Sequence, residues 1–529
     1  MKDDFNNKEK LIFRILFDSL IVGAFAGLFS VLYRFVIMKM DFYRKFLYRD
    51  FNIKSLVILI ILASLISFII YRLLKWAPLS GGSGIPQIRG EILGKFKMDE
   101  VPTLLSKILG GGLGNLMGFS LGREGPSIQM GGAAAKFIGK LIKRPPDELK
   151  YMITAGAAAG LAAAFNAPMA GCIFAIEELH KTYSKFVLLP ALIASITANY
   201  VSFVIMGSET SFSFFATKSL PMTLIWVAIL IGILTGLIGG LYNFLITKFQ
   251  DLFKKINSQI LKYALLMGVT ILIGFMFFEG TGGGHGLLEK MAKEHFAVKY
   301  ICAILIIKLF YTTFCYGSGV QGGIFLPVLV IGGSCGALIF ALLENKFDLD
   351  PYYVNFIILG MSGILASVVR SPILSVILVS EMTKTFEHLI ALSIVVIVSY
   401  YVAELLKVAP IYDTLFERQL RDKNLLSPKE RELGDYSIFE YTITDDLKII
   451  GKSLKEINFP RHLIIMSIER EGTEIVPTAD DKILLGDKIT VLIRAEDALE
   501  IDRFLKKWIN YMPGLRLWYF FMILIFFAK

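Results

Sequence analysis

Apolar windows recur along the chain from about Leu11 to Leu406, among them Leu16–Met38, Ser55–Leu74, Phe186–Met206, Leu224–Ile246, Tyr263–Phe278 and Leu389–Leu406. A helix rises about 1.5 Å per residue and a bilayer core is about 30 Å thick, so each window can cross as a helix, the shortest only just. Other apolar stretches, at 104–121 and 324–343, are shorter or broken by glycine and proline. Non-helical backbone at membrane depth survives only where protein or a water-filled cavity covers it, so these breaks are expected to face the interior. The polar start, Met1–Lys10, lacks the form of a signal peptide.

One break carries a charge. Gly122-Arg123-Glu124-Gly125-Pro126 interrupts a long apolar run, and the chain turns apolar again after it. A carboxylate at membrane depth costs several kcal/mol unless it is paired, neutralised or wetted. Glycine and proline end helices and begin new ones. Glu124 is therefore expected at a broken-helix end facing a polar cavity.

Composition agrees. The 529 residues are 55% hydrophobic and 19% charged, and the mean hydropathy is +0.62. This points to an all-α integral membrane protein rather than a soluble enzyme. The net charge of +10 fits loops on the inner side of a membrane better than a nucleic-acid surface. Cys172, Cys302, Cys315 and Cys335 lie in apolar segments and read as buried thiols, with no disulfide and no metal role. The five histidines are scattered and no HExxH occurs.

The punctuation repeats. Pro126, Gly131-Gly132, Gly156, Pro168 and Glu177 have counterparts in Pro327, Gly332-Gly333, Gly360, Pro372 and Glu381, about 200 residues later. Four residues separate proline from the glycine pair in both; glycine to proline is then twelve positions, and proline to glutamate nine. Paired halves with broken segments at corresponding places put a binding site at their interface. Spacing alone leaves open whether the halves are inverted or parallel.

Three glycine-rich breaks each precede a segment able to be helical: Gly81 to Pro86, Gly122 to Pro126, and Gly317 to Pro327. Helix N-termini present free N–H groups and partial positive charge, and several aimed at one point make an anion site without a full cation. Such a site suits an anion that must both enter and leave. Gly110-Gly111-Gly112-Leu113-Gly114 has no preceding strand and reads as close helix packing rather than a nucleotide loop.

GSGIP at 82–86, GREGP at 122–126, GGIFLP at 322–327 and Tyr412 in Ala409-Pro410-Ile411-Tyr412 resemble the CLC chloride channels and chloride/proton antiporters over about residues 11–420. The resemblance implies an inverted-repeat helical domain with broken helices over 1–420, with halves at about 11–206 and 221–416. It also implies a homodimer in the cell membrane with chloride and protons as transported ions, lipid around it, and no cofactor or nucleic-acid partner. It further implies that chloride is bound by the Ser83 hydroxyl, the Ile324 and Phe325 backbone amides and the Tyr412 phenol, and that Glu124 is the gating glutamate. Serine in the first loop and the presence of Tyr412 favour chloride over nitrate or fluoride. Arg89 stands where some bacterial relatives carry glutamate and is expected to alter local charge rather than mechanism.

Glu177-Glu178 closes the apolar run from Met152. The resemblance matches Glu178 to the internal proton glutamate of antiporters, which many passive channels lack. Proton transfer needs protonatable groups near each end of the path. Glu177 and Glu381, at matched repeat positions, are expected to be structural; His180, Lys181 and Arg123 are expected to be interface charges. The reading is a chloride/proton exchanger and not an enzyme. A passive channel of the same fold and a membrane-anchored ligand sensor are the alternatives.

From about Asp435 the pattern changes to short alternating runs. Strands are expected at Tyr436–Ile443, Leu463–Ile468, Glu474–Val476 and Lys488–Ile493, with a short helix at Gly451–Ile457, a turn at Arg470–Thr473 and a helix at Asp497–Trp508. This is a small soluble α+β domain over 435–508, behind a charged linker at 421–434 and ahead of an apolar tail at 509–529. Gly451-Lys452-Ser453-Leu454, Arg470, Ile475-Val476-Pro477 and Gly486-Asp487 resemble the RCK-type C-terminal (TrkA-C-like) regulatory domain. That resemblance implies a cytoplasmic domain that dimerises and, in some members, binds a small ligand such as a cyclic dinucleotide.

Overall fold

The computed structural model describes the chain except residues 1, 50–51, 208–211, 213, 215–217, 385, 426–435, 444–449, 458, 460–462, 471–472 and 495–529. The chain divides into two compact units, Met1–Gln419 and Leu420–Lys529. Among the described residues, nine helices are long and apolar enough to cross a membrane.

The first unit is two successions of eight helices. The first is α1 (Lys2–Leu47), α2 (Ile53–Trp76), α3 (Ile85–Ile92), α4 (Glu100–Met117), α5 (Glu124–Leu141), α6 (Pro146–Phe165), α7 (Pro168–Phe174, continued by a π-helical turn, Ala175–His180) and α8 (Lys185–Met206). The second is α9 (Ile225–Lys254), α10 (Gln259–Met276), α11 (His285–Lys293), α12 (Val298–Gly317), α13 (Phe325–Leu343), α14 (Tyr353–Val369), α15 (Pro372–Thr383) and α16 (Leu389–Leu405). Helix α17 (Ile411–Asp422) follows. The packing repeats as well: α5 lies on α6 as α13 lies on α14, and α1 on α8 as α9 on α16.

The repeated residues explain the repeated packing. Gly131 of α5 and Gly156 of α6 meet backbone to backbone, as do Gly332 of α13 and Gly360 of α14; a Cβ at any of the four would strike the facing carbonyl oxygen. Helices α6 and α14 both end on a residue in the left-handed region, Asn166 (φ 53°) and Arg370 (φ 70°). Pro168 and Pro372 then open α7 and α15 at a first-turn position where their missing N–H costs nothing.

Glu177 and Glu381 cap each other's helices. Glu177 accepts from the Ile373 and Leu374 amides of α15 at 3.2 and 2.8 Å. Glu381 accepts from the Met169 and Ala170 amides of α7 at 3.0 and 2.8 Å. Each glutamate sits at the C-terminal end of its own segment and reaches the N-terminus of the other, so α7 and α15 run antiparallel about a local pseudo-two-fold axis. That is the relation an inverted repeat requires, and the structural role expected for this pair is met.

A further duplication was not read from the sequence. Gly82 and Gly282 both adopt φ 65°, and Gly84 and Gly284 adopt φ 99° and 93° as the N-caps of α3 and α11. Behind each loop a buried lysine donates to the first glycine's carbonyl: Lys107 Nζ to Gly82 O at 2.6 Å and Lys308 Nζ to Gly282 O at 2.8 Å.

The second unit contains a four-stranded antiparallel sheet: β1 (Tyr436–Thr442), β2 (Leu463–Arg470), β3 (Thr473–Ile475) and β4 (Lys488–Arg494), in the order β1-β4-β2-β3. Ile443, Ile457, Ile468, Ile483, Ile489 and Val491 form its core. Asp487 is buried and binds Arg470 through two hydrogen bonds, 2.8 and 2.7 Å, while accepting from the Leu484 amide at 2.8 Å. The four expected strands are present. The expected helix at 451–457 is a single 3-10 turn, Leu454–Glu456, closed by a Ser453/Glu456 capping box; the backbone of Gly451, Lys452, Leu454 and Lys455 is hydrogen-bonded to 479–483, which leaves room for no more. The expected helix at 497–508, the tail and most of the linker lie outside the described residues.

Candidate functional site

The three glycine loops converge by backbone pairing. Gly82 N–H donates to Val320 O at 3.0 Å and Gly322 N–H to Gly82 O at 3.1 Å, which joins the first loop to the third. Gly122 and Gly323 exchange both hydrogen bonds, 2.7 and 2.8 Å, which joins the second to the third. The N-termini of α3, α5 and α13 are thereby brought to one place. Only glycine fits at the crossing: a Cβ on Gly125 would lie 2.7 Å from Ser83 O and 3.2 Å from Gly323 Cα.

Five of the six predicted site residues gather there. Ser83, Glu124, Ile324, Phe325 and Tyr412 are all buried. The Phe325 and Tyr412 rings stack at 5.9 Å. Glu124 is the first residue of α5, and its carboxylate lies beside its own amide and the Leu326 amide at the start of α13. These approaches fall short of full hydrogen-bond geometry, and both oxygens are buried without a conventional partner. Arg123 Nε stands 3.9 Å from Oε1. The Tyr412 hydroxyl is likewise buried without a hydrogen-bond partner. An anionic carboxylate at a helix N-terminus is favourable electrostatically even without linear hydrogen bonds.

The expected polar cavity is present next to Glu124 rather than around it. A space of about 280 Å³ is lined by Gly122, Arg123, Gln321, Gly322, Leu326 and Tyr33, among others. Glu124 itself is fully buried.

Glu178, the sixth residue, lies elsewhere. It is buried in the π-helical turn after α7, where the Ser371 hydroxyl donates to it. A second cavity, of about 400 Å³, opens on Glu177, Glu178, Lys181 and Arg370. Tyr412 is within electrostatic reach of both Glu124 and Glu178.

Sequence reasoning missed several groups. Tyr316 of α12 lies within hydrogen-bonding reach of Ser83. Tyr242 of α9 is buried with an unpartnered hydroxyl near Tyr316 and Tyr412. A tyrosine every few turns in apolar helices carries no signal that these two converge. Lys181, expected to be an interface charge, and Arg89, expected to alter local charge, both bind Asp413 of α17, Lys181 at 2.5 Å. Histidines that looked scattered include His295, which meets Glu344 and Asp350 in an exposed trio whose ligand atoms lie within 4.8 Å of one another. Of the cysteines expected to be buried, Cys302 is only partly so.

The voltage gated chloride channel family matches residues 64–404, and the TrkA-C domain matches residues 438–506. The H(+)/Cl(-) exchange transporter ClcA of Vibrio cholerae serotype O1 (strain M66-2) is 34% identical over 440 residues, 80% of this chain and 93% of that protein. The transporter of the same name from Klebsiella pneumoniae (strain 342) is 32% identical over 68% of this chain and 78% of its own length. Among solved structures, a slow cyanobacterial Cl-/H+ antiporter superposes with a TM-score of 0.72 at 29% identity, over 78% of this chain and 99% of that one. By this match, and by the paired helices and convergent glycine loops that carry its motifs, the chain belongs to the CLC family of chloride channels and transporters and bears a C-terminal TrkA-C domain.

Proposed function

We propose that this protein is a secondary active transporter that exchanges chloride for protons, with Glu124 as the gate. The observation that supports this most directly is the Glu124 carboxylate at the N-terminus of α13, beside the Leu326 amide. A carboxylate and a chloride are interchangeable occupants of such a site, because both satisfy the same partial positive charge. Protonation removes the carboxylate's claim on the helix end; chloride then takes its place, held by the Ile324 and Phe325 amides, the Ser83 hydroxyl and the Tyr412 phenol. The proton leaves to one side as the side chain swings away, and the returning carboxylate displaces the anion.

Glu178 supplies protons from the opposite side. It is buried, hydrogen-bonded to Ser371, and borders a cavity through which water can reach it. The two relatives named as H(+)/Cl(-) exchange transporters support the same reading. On this reading the protein works as a homodimer in a prokaryotic cell membrane with its C-terminal domain in the cytoplasm, where a small ligand such as a cyclic dinucleotide acts on it.

The test is paired flux in proteoliposomes. A chloride gradient alone is expected to drive protons uphill through the wild-type protein, with a reversal potential that depends on both ions. Chloride flux with no proton movement at any pH would replace the exchanger with a passive channel of the same fold.

A further inference from the structure

One carboxylate without a part in the scheme above binds two cations. Asp413, the third residue of α17, pairs through one oxygen with Arg89 of α3 and through the other with Lys181 Nζ at 2.5 Å. The elements so joined carry three separate functional groups. Helix α3 opens two residues after Ser83, Lys181 ends the π-helical turn that bears Glu178, and Asp413 follows Tyr412 directly. The side chains of Arg89, Asp413 and Lys181 are 18%, 23% and 39% exposed, so their mutual interaction is only partly screened by solvent.

The same three charges act on Glu178. Around that carboxylate stand Ser371 at the start of α15, Arg89 from α3, Asp413 and Tyr412 from α17, and Lys181 from its own turn. Arg370, Glu177 and the Tyr400 ring share its cavity. Arg370 is occupied by Glu404 at 2.7 Å, and Glu177 by the α15 amides. His180 is turned to Thr154 of α6 at 2.7 Å. The charges that act on Glu178 and pair with no further charge are thus Asp413 and its two cations, Arg89 lying also over the Phe416 ring.

We propose that Asp413 is a positioning residue for proton delivery, which balances the charge of Arg89 and Lys181 so that Glu178 can alternate between its protonated and ionised forms. This rests on Glu178 as the proton donor proposed above. Without Asp413, the charges of Arg89 and Lys181 would act on Glu178 unopposed and favour its ionised form, because opposite charges nearby stabilise a carboxylate. Proton loading would then require a lower pH. Without Lys181, only the mutually cancelling charges of Arg89 and Asp413 remain, so less positive charge opposes protonation and loading would persist to higher pH. A merely mechanical tie between α17, α3 and the π-helical turn predicts no such opposition, since either substitution would loosen the same contact.

The experiment measures chloride-driven proton uptake against pH in proteoliposomes of the full chain. Asp413→Asn is expected to move the profile toward acid by about one pH unit. Lys181→Gln is expected to move it toward alkali, and Asp413→Glu to keep it where the wild type has it. Shifts of both variants in one direction, or no shift in either, would overturn the proposal. If Asp413→Asn does not assemble, the partly exposed Lys181 decides alone: an alkaline shift supports the proposal, and an acid shift or none refutes it. A wild type that moves chloride without protons overturns both this inference and the exchanger reading. A coupled wild type whose variants keep its profile overturns this inference only.

Discussion

The two halves of the membrane unit share the glycines, prolines and capping glutamates that build the scaffold and differ at the positions given a role in transport by the proposed scheme. Gly131 matches Gly332, Gly156 matches Gly360, Pro168 matches Pro372 and Glu177 matches Glu381. The first residue of α5 is Glu124, whereas the first residue of α13 is Phe325. Ser83 stands between two left-handed glycines in one half, and Gly283 stands between two in the other. Glu178, next to a capping glutamate, has buried Met382 as its counterpart. An anion path through a symmetric scaffold would read the same from both ends. In the proposed scheme, the asymmetric groups give one end a carboxylate gate and the other a proton supply.

The strongest challenge to this comparison is to damage the scaffold at matched places. Gly131→Val and Gly332→Val each drive side-chain carbon into the facing backbone. Each is expected to cost several kcal/mol, about 4 or more, through overpacking that rigid backbone cannot relieve. Both variants should fail to give a monodisperse protein in size-exclusion chromatography, and to a similar degree. A well-behaved Gly332→Val beside a lost Gly131→Val would mean that the halves are not mechanically equivalent.

Next come the differing positions. Glu178→Gln is expected to abolish proton movement while chloride flux continues, and Met382→Gln, its counterpart, to leave the proton-to-chloride ratio unchanged. Retained coupling in Glu178→Gln, read by a pH electrode beside a chloride electrode, would return Glu178 to a structural role. A smaller effect is expected at the reciprocal caps. Glu177→Gln and Glu381→Gln each weaken charge-assisted bonds to a helix N-terminus, for about 1 kcal/mol apiece. Thermal melts should therefore show two similar, modest losses; a large loss for one alone would break the pseudo-symmetry.

Much of this organisation is legible in the sequence because glycine and proline report backbone geometry directly. The loops at 81–86, 122–126 and 317–327 announce helix starts, and Glu124 is conspicuous as a charge within an apolar run. Partners are harder to read. Nothing in the spacing of Glu177 and Glu381 says that each caps the other's helix, because that contact exists only once the halves face each other. Lys107 and Lys308 look like stray charges in apolar helices until each is seen bound to a glycine carbonyl. Tyr242 and Tyr316 are hidden among many tyrosines, and Asp413 among the charges of α17. Strands of the second unit show in their alternation, whereas a single 3-10 turn leaves almost no periodic trace.

That second unit supplies the smallest predicted effect. The Arg470 guanidinium and the Leu484 amide hold the Asp487 carboxyl below its usual range. A carboxylate whose folded-state pKa is depressed adds stability that is present above its unfolded value, about 3.9, and is lost as pH falls through and below it. Local protection of the β4 amides in hydrogen exchange should therefore drop between about pH 5 and pH 3 in the wild type. Asp487→Asn should start lower and change less over the same interval; an identical slope would remove Asp487 from the account.

The central claim is that Glu124, whose counterpart is the uncharged Phe325, couples the two ions. It is tested by recording chloride and proton fluxes together in proteoliposomes of the wild type and of Glu124→Gln. Glutamine keeps the shape but neither competes as an anion nor carries a proton. The account predicts that Glu124→Gln moves chloride and no protons, with a reversal potential set by chloride alone. Protons still driven uphill by a chloride gradient through that variant would contradict it.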